Sequence, residues 1–190
     1  GNAKFYGSTG SLALNKPIVG MAATPNGKGY WLVASDGGIF AFGNAKFYGS
    51  TGSLALNKPI VGMAATPNGK GYWLVASDGG IFAFGNAKFY GSTGSLALNK
   101  PIVGMASTTD GSGYWLAASD GGIFAFGSAK FHGSAGSLPL TAPITGIQAT
   151  STGQGYWLVS QGGGIFAFGN APFYGSAGNR ALPDPTVAIS

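Results

Sequence analysis

The sequence lacks most of the residue types on which catalytic and metal sites depend. Its 190 residues include no Cys and no Glu, one Arg, one His and five Asp, which are its only acids. The absence of Cys excludes disulfides, thiol catalysis and zinc-thiolate sites. An enzyme needs several titratable groups that converge on one point, and a Ca²⁺ site needs about six to eight oxygen ligands. The sequence therefore predicts a non-enzymatic protein with no cofactor and no metal.

Long helices, membrane-spanning runs and basic clusters are also missing. The 36 Gly and 10 Pro residues disfavour helices, because Gly costs about 1 kcal/mol and Pro about 3 kcal/mol relative to Ala in a helix interior. No apolar run reaches the roughly 18 residues of a membrane helix, so we expect no membrane insertion. The net charge of +5 reflects a scarcity of acids. The basic residues are spread far apart, and nucleic acid is not an expected partner.

What the sequence does contain is a 42-residue repeat. Residues 1–42 recur without one change at 43–84, and two further copies begin at Gly85 and Gly127 and diverge progressively. A fifth copy begins at Gly169 and stops part-way. Each unit of such a repeat packs against its neighbours, because one unit cannot bury its apolar residues alone. We therefore interpret residues 1–190 as a single repeat array.

Turn residues divide each copy into four short strands. Asn-Gly, Asp-Gly-Gly and Gly-Asn mark the turns, because these residues suit tight hairpins with positive φ. In the first full copy the predicted strands are 18–24, 29–35, 39–42 and 45–49. A link of about nine residues leads to the next copy, and four antiparallel strands followed by a longer link are typical of a β-propeller blade. The sequence predicts an all-β, β-propeller-type fold with blades at 17–50, 59–92, 101–134 and 143–176.

The two ends of the chain are predicted to be incomplete blades. Residues 1–8 correspond to an outer strand and residues 186–190 to an inner strand, without the two middle strands. We expect the chain either to belong to a longer array or to take the missing strands from another chain.

The strand at 29–35 is apolar on both faces, as expected for a sheet between two neighbours. The core aromatics predicted for each copy are Phe5, Tyr6, Tyr30, Trp31, Phe40 and Phe42 and their equivalents.

The fourth strand is predicted to lie at the outer edge of each blade. It carries a Lys in four copies and Pro172 in the last, and these residues protect exposed sheet edges against further pairing. The Lys residues are Lys4, Lys46, Lys88 and Lys130.

The segments GYWLVASDGGIFAFG, FYGS and LNKPIVGMAATPNGKGYW resemble a tandem repeat of secreted and surface proteins of actinobacteria. That repeat is regarded as propeller-like and often stands beside cell-wall hydrolase modules, and the likeness covers the whole chain. It implies an exported location, secreted or at the cell surface, and assigns no functional residue. A looser, fold-level similarity is to five-bladed lectins related to tachylectin.

The links between blades are the predicted ligand-binding surface, because such loops surround the mouth of a propeller channel. Their Asn amides, with nearby Tyr rings, could hydrogen-bond to glycans and stack on them, whereas a merely solvated rim is the alternative. The candidate residues are Asn15, Lys16, Asn57, Lys58, Asn99 and Lys100.

Other polar and aromatic positions are interpreted as structural. Asp36, Asp78 and Asp120 recur at one tight turn, where Asx hydrogen bonds are expected. His132 replaces a Tyr of the other copies. The four Trp residues, at 31, 73, 115 and 157, are predicted to be core rather than sugar-stacking platforms.

Two functions follow from these patterns. The first is an extracellular structural or adhesive scaffold that associates with other copies of itself, end to end, into a filament or surface layer. The alternatives are a multivalent binder of glycans or cell wall, with weak sites repeated for avidity, and an accessory domain of a cell-wall hydrolase.

Overall fold

The computed structural model describes residues 3–180 and 182–189. In this part of the chain twelve β-strands form four antiparallel sheets of three strands, and there is no helix. The strands are β1 (Ile18–Ala23), β2 (Gly29–Ala34), β3 (Ile39–Gly43), β4 (Ile60–Ala65), β5 (Gly71–Ala76), β6 (Ile81–Gly85), β7 (Ile102–Ser107), β8 (Gly113–Ala118), β9 (Ile123–Gly127), β10 (Ile144–Ala149), β11 (Gly155–Ser160) and β12 (Ile165–Gly169).

The chain divides into two compact units, residues 1–89 and 90–190. The first unit holds the sheets β1–β3 and β4–β6, and the second holds β7–β9 and β10–β12. Within each unit the first strand of one sheet packs against the first strand of the next, β1 against β4 and β7 against β10. The predicted blade limits themselves stay a prediction.

The middle strand of each sheet is the most deeply buried. All residues of β5 and β8 are buried, so both faces of these strands are covered, as the apolar sequence of the strand predicts. Aromatic rings fill the joint between successive sheets. Trp31 lies 5.7 Å from Tyr72 of the next sheet, and Trp115 stands in the same relation to Tyr156.

The predicted turns are confirmed. Gly27, Gly37 and Gly43 have φ of 65°, 80° and 67°, and they lie in or directly after the turns that the Asn-Gly, Asp-Gly-Gly and Gly-Asn pairs mark. Such left-handed conformations cost Gly nothing and other residues a good deal. The turn chemistry therefore limits every strand to five or six residues.

The prediction of four strands per sheet is wrong, because the segment at 45–49 pairs with no neighbouring strand. Side chains, rather than a backbone ladder, satisfy its polar groups. The Trp31 indole donates to the Lys46 carbonyl at 2.7 Å. The Tyr72 hydroxyl donates to the Gly49 carbonyl at 2.6 Å and accepts from the Tyr48 amide at 3.1 Å. We call this stretch, and its equivalents in the other copies, the outer segment.

The predicted terminal strands are not strands either in the part that the structure describes. Residues 3–8 and 186–189 are in no sheet, while residues 1, 2 and 190 of these predictions lie outside the described residues. The stretch at 3–8 is an outer segment, since the Tyr30 hydroxyl donates to the Gly7 carbonyl. The Thr186 amide donates to Gln161 at 2.9 Å, as the first residue of β10 does to Ser119.

One glycine in each outer segment except the last allows an aromatic ring to approach the backbone. Gly49 has φ of 135°, and a Cβ built on it would lie 2.5 Å from the ring of Phe84. Gly91 meets Phe126 in the same way. Any larger residue would push the outer segment away from the next sheet, to which Phe84 belongs.

Candidate functional site

The six predicted ligand-binding residues of the links are all exposed. In the first unit Asn15 and Lys16 line a shallow pocket of about 390 Å³ together with Leu12, Asp36 and Phe40. This pocket brings the link beside the Asp-Gly-Gly turn, a proximity that the sequence does not predict. Asn57, Lys58 and Asn99 also lie on links, outside this pocket.

A second shallow pocket, of about 400 Å³, occurs in the second unit. Lys100 and Asp120 line it, as Lys16 and Asp36 line the first, but its Leu138 and Thr141 come from the link that follows the aspartate, whereas Leu12 comes from the link that precedes it. A lysine and an aspartate on an apolar floor therefore recur in both units. The arrangement offers hydrogen-bond donors and acceptors around an apolar patch, which suits a polar ligand with an apolar face.

The aspartates of these pockets have the structural role that their turn predicts. The Gly38 amide donates to Asp36 Oδ1 at 2.9 Å, and Asp78 and Asp120 accept the same bond at 3.0 Å. In the fourth copy Gln161 takes the place of Asp. The Ser160 hydroxyl there accepts from the Gly164 amide at 3.0 Å, so a neighbouring side chain supplies the missing acceptor.

Two rows of exposed apolar residues were missed from the sequence. The phenylalanine of the outer segment is 61–79% exposed in every copy, although it was predicted to be core. The leucine of the link is 47–57% exposed. The rows are Phe5, Phe47, Phe89, Phe131 and Phe173, and Leu12, Leu54, Leu96 and Leu138. The adjacent Lys-Phe pair is the signal that could have found the first row, because an exposed Lys marks a segment at the sheet edge.

The tryptophans are core, as predicted, except at the end of the last sheet. Trp31, Trp73 and Trp115 are fully buried, whereas Trp157 is partly exposed. A pocket of about 280 Å³ lies against Trp157 and is lined by Gln148, Ile165, Tyr174 and Ile189. Its surface is mostly apolar, and Tyr174 beside it is 86% exposed.

The first sheet also has a partly exposed face, and this face carries the Tyr of the middle strand rather than the Trp. Tyr30 and Leu32 are half-buried there, and Met21 is 59% exposed. Tyr6, Met21 and Tyr30 line a pocket of about 570 Å³. In the second sheet the equivalent Tyr72 and Leu74 are fully buried. Burial raises the pKa of the Tyr72 hydroxyl, against the opposing effect of its bonds to Tyr48 and Gly49.

His132 stands at the Tyr position of an outer segment, as predicted, and one of its atoms is unsatisfied. Its ring packs 5.7 Å from Tyr156 and 6.3 Å from Trp115. Its Nε2 is buried and has no hydrogen-bond partner among the described residues. The equivalent Tyr48 reaches further and donates its hydroxyl to the Gly69 carbonyl at 3.0 Å.

No group of three or more His, Asp or Glu side chains that could hold a metal ion occurs at 3–180 or 182–189. Nor does this part of the chain contain a helix of the length and apolarity needed to cross a membrane.

Comparison with known proteins supports the fold. No protein-family model and no curated protein matches the chain. Among solved structures the chain is similar to the β-propeller domain of Cps50 (Swd1) from Myceliophteria thermophila, with a TM-score of 0.59 and 11% identity. The match covers 86% of this chain and 55% of that one, so the chain spans about half of its neighbour's length. At this identity the likeness concerns the fold alone, and the repeated antiparallel sheets resemble those of a β-propeller.

Proposed function

We propose that the chain is a non-enzymatic extracellular repeat scaffold, a structural or adhesive module that assembles end to end with other copies. One observation carries the proposal. The first two sheets have the same sequence, yet Met21 is 59% exposed while Met63 is 8% exposed. Within this unit one sheet thus covers a face of the next, and a sheet of another copy can pack in the same way.

Three further features support a scaffold role. The aspartates are engaged in their own turns, and this leaves them poorly placed for acid–base chemistry. The exposed phenylalanines recur once per copy, and exposed apolar side chains of this kind can serve as contact points in adhesion. The resemblance to actinobacterial surface repeats supports a location outside the cell.

Light scattering over a range of protein concentrations, together with electron microscopy, tests the proposal. We expect the mass to rise with concentration and the particles to grow along one axis. A monodisperse monomer at every concentration, without fibres, would contradict end-to-end assembly.

The pockets favour a second function, multivalent binding of glycans or cell wall, for the chain alone or as an accessory domain of a cell-wall hydrolase. Lys16 and Asp36 in one unit, and the corresponding Lys100 and Asp120 in the other, each border a shallow pocket. A peptidoglycan pull-down with the double change of Lys16 and Lys100 to Ala tests it, with the exposed Lys70→Ala, which lies outside both pockets, as the matched control. Binding by the control and loss of binding by the double variant would support this function, and equal binding by both would contradict it.

A further inference from the structure

The outer edge of every sheet is open. Each sheet ends at its third strand, and no other strand in the described part of the chain pairs with that edge. The four edge strands, β3, β6, β9 and β12, share the sequence Ile-Phe-Ala-Phe-Gly. An edge strand presents a row of unpaired backbone amides and carbonyls. A four-stranded propeller blade would use this row for its last strand, whereas the outer segment leaves it unused.

The ladder between β5 and β6 shows which backbone groups of the edge face outward. Just beyond the ladder, the Asn86 amide donates to the Lys70 carbonyl at 3.0 Å. Bonded pairs alternate along an antiparallel ladder. With the observed register, the amides and carbonyls of residues 81, 83 and 85 therefore point away from β5. Ala83 lies at the centre of this outward row.

The fourth sheet shows that such a row can be bound from outside. There the Ile165 amide, the first outward amide of β12, donates to the Ser176 hydroxyl at 3.2 Å. The alanine comes next along the outward row in each sheet. The four alanines are Ala41, Ala83, Ala125 and Ala167.

A lysine and a phenylalanine lie on the segment that crosses the end of β6. This segment is the outer segment of the preceding copy, and its Tyr48 ring would lie 3.0 Å from a Cβ built on Gly85. Lys46 and Phe47 directly precede Tyr48, and both are exposed. One end of the open edge is therefore bordered by a segment with a free positive charge and an exposed apolar side chain.

The second unit repeats this arrangement at β12. The His132 ring would lie 3.0 Å from a Cβ built on Gly169, at the end of the strand. Lys130 and Phe131 precede His132, and both are exposed. The combination of an open edge, a lysine and a phenylalanine thus occurs in both units.

We propose that the open sheet edges bind extended segments of another protein, each as a fourth strand, and that these segments carry carboxylates together with apolar side chains. Backbone hydrogen bonds to the outward row supply the affinity, and the lysine and phenylalanine of the outer segment select the sequence. The net charge of +5 favours an acidic partner, whereas pairing with the edge of a second copy would bring like charges together. The inference does not rest on the proposed assembly of copies.

Peptide binding to the full-length wild-type chain tests the pairing. The probe is a fluorescein-labelled peptide of roughly eight residues, a common strand length, in which Asp and Val alternate. Fluorescence anisotropy measures its dissociation constant. We expect binding to weaken at least about tenfold when every backbone nitrogen of the peptide is methylated, because no peptide amide can then donate to the edge. A peptide with Lys in place of Asp should be weaker by at least about tenfold as well.

Two outcomes of this experiment would overturn the proposal. The first is equal binding of the acidic peptide and its methylated form, which would show that no backbone pairing occurs. The second is the absence of binding by the acidic peptide.

Changes at the edge alanines locate the site on the protein. Pro at all four positions removes their outward amides, and an edge strand tolerates Pro where its amide faces solvent. We expect the acidic peptide to bind at least about tenfold more weakly. Ser at the same four positions keeps the amides and is the matched control, without effect. Circular dichroism verifies that both variants are folded, and undiminished binding by a folded Pro variant would overturn the proposal.

The lysines distinguish the edge from the links. Changing the three outer-segment lysines to Gln should weaken binding of the acidic peptide about threefold, whereas changing three link lysines to Gln should leave it unchanged. Both variants lose the same net charge, so equal weakening would indicate general electrostatic attraction and overturn the proposed location. The two sets are Lys46, Lys88 and Lys130, and Lys16, Lys58 and Lys100.

Discussion

Residues 18–43 and 60–85 have one sequence and two environments. Both stretches form the same three strands with the same register. The Tyr and Leu on one face of the middle strand are half-buried in the first and fully buried in the second. The difference teaches that a copy determines its own sheet, while the burial of that sheet depends on the copy before it.

The largest expected difference is between two identical methionines. Met63→Ala should reduce the free energy of unfolding by about 3 kcal/mol, because Met63 is 8% exposed and its loss leaves a cavity. Met21→Ala should change it by no more than about 0.5 kcal/mol, because Met21 is 59% exposed. Urea unfolding, at concentrations that keep the chain monomeric, measures both. Equal losses would show that the two sheets share one environment after all.

The features that the sequence predicted correctly are local ones. The Asn-Gly and Asp-Gly-Gly turns determine their own backbone conformation, and the apolar run of β2 reports burial on both faces. The lack of strand pairing in the outer segment was not predictable from local residues. Its polar groups are satisfied by Trp31 and Tyr72, which lie 15 and 23 residues away in sequence.

In the candidate site, too, the features set by local residues were predictable and those set by distant contacts were not. The links were recognised as exposed because Asn, Lys and Pro cluster there. Their proximity to Asp36 depends on packing between the link and the turn. The exposure of Phe47 differs from the prediction because the segment forms no paired strand, whereas the prediction places both of its aromatics in the core.

A smaller effect on the free energy of unfolding is expected at His132, where the residue differs from that of the other copies but its surroundings do not. His132→Tyr should stabilise the second unit by about 1 kcal/mol. The new hydroxyl can donate to the Gly153 carbonyl, as Tyr90 does to Gly111 at 3.0 Å, and the unsatisfied Nε2 is removed. Denaturant unfolding measures the gain.

His132→Phe is the matched control for this change, because it removes the nitrogen without adding a hydroxyl. It should give less than the full gain. A destabilised His132→Tyr variant would mean that the outer segment of this copy differs from the others.

The smallest effect concerns pH at one corner of the third sheet. The hydroxyls of Ser112 and Thr108 and the Ser112 amide donate to Asp110 and hold its pKa well below the usual range. The stabilisation is therefore complete above the unfolded-state pKa, about 4, and is lost as the pH falls towards the lower folded-state value. Asp110→Asn, which restores the residue of the first two copies, should remove this dependence.

Thermal unfolding between pH 5 and pH 2 compares the two proteins. The wild-type melting temperature should fall by about 1–2 °C more than that of Asp110→Asn, a small difference because solvent screens this exposed carboxylate. Parallel curves would show that Asp110 has an ordinary pKa.

The outer segment also has a mechanical consequence. Lys46 is held by Trp31 of its own sheet, and Gly49 is held by Tyr72 of the next. A pulling force along the chain therefore loads two sheets at once, and the segment cannot be lifted away without breaking bonds to both. In a fibre under tension, each 42-residue step would share its load with its neighbour.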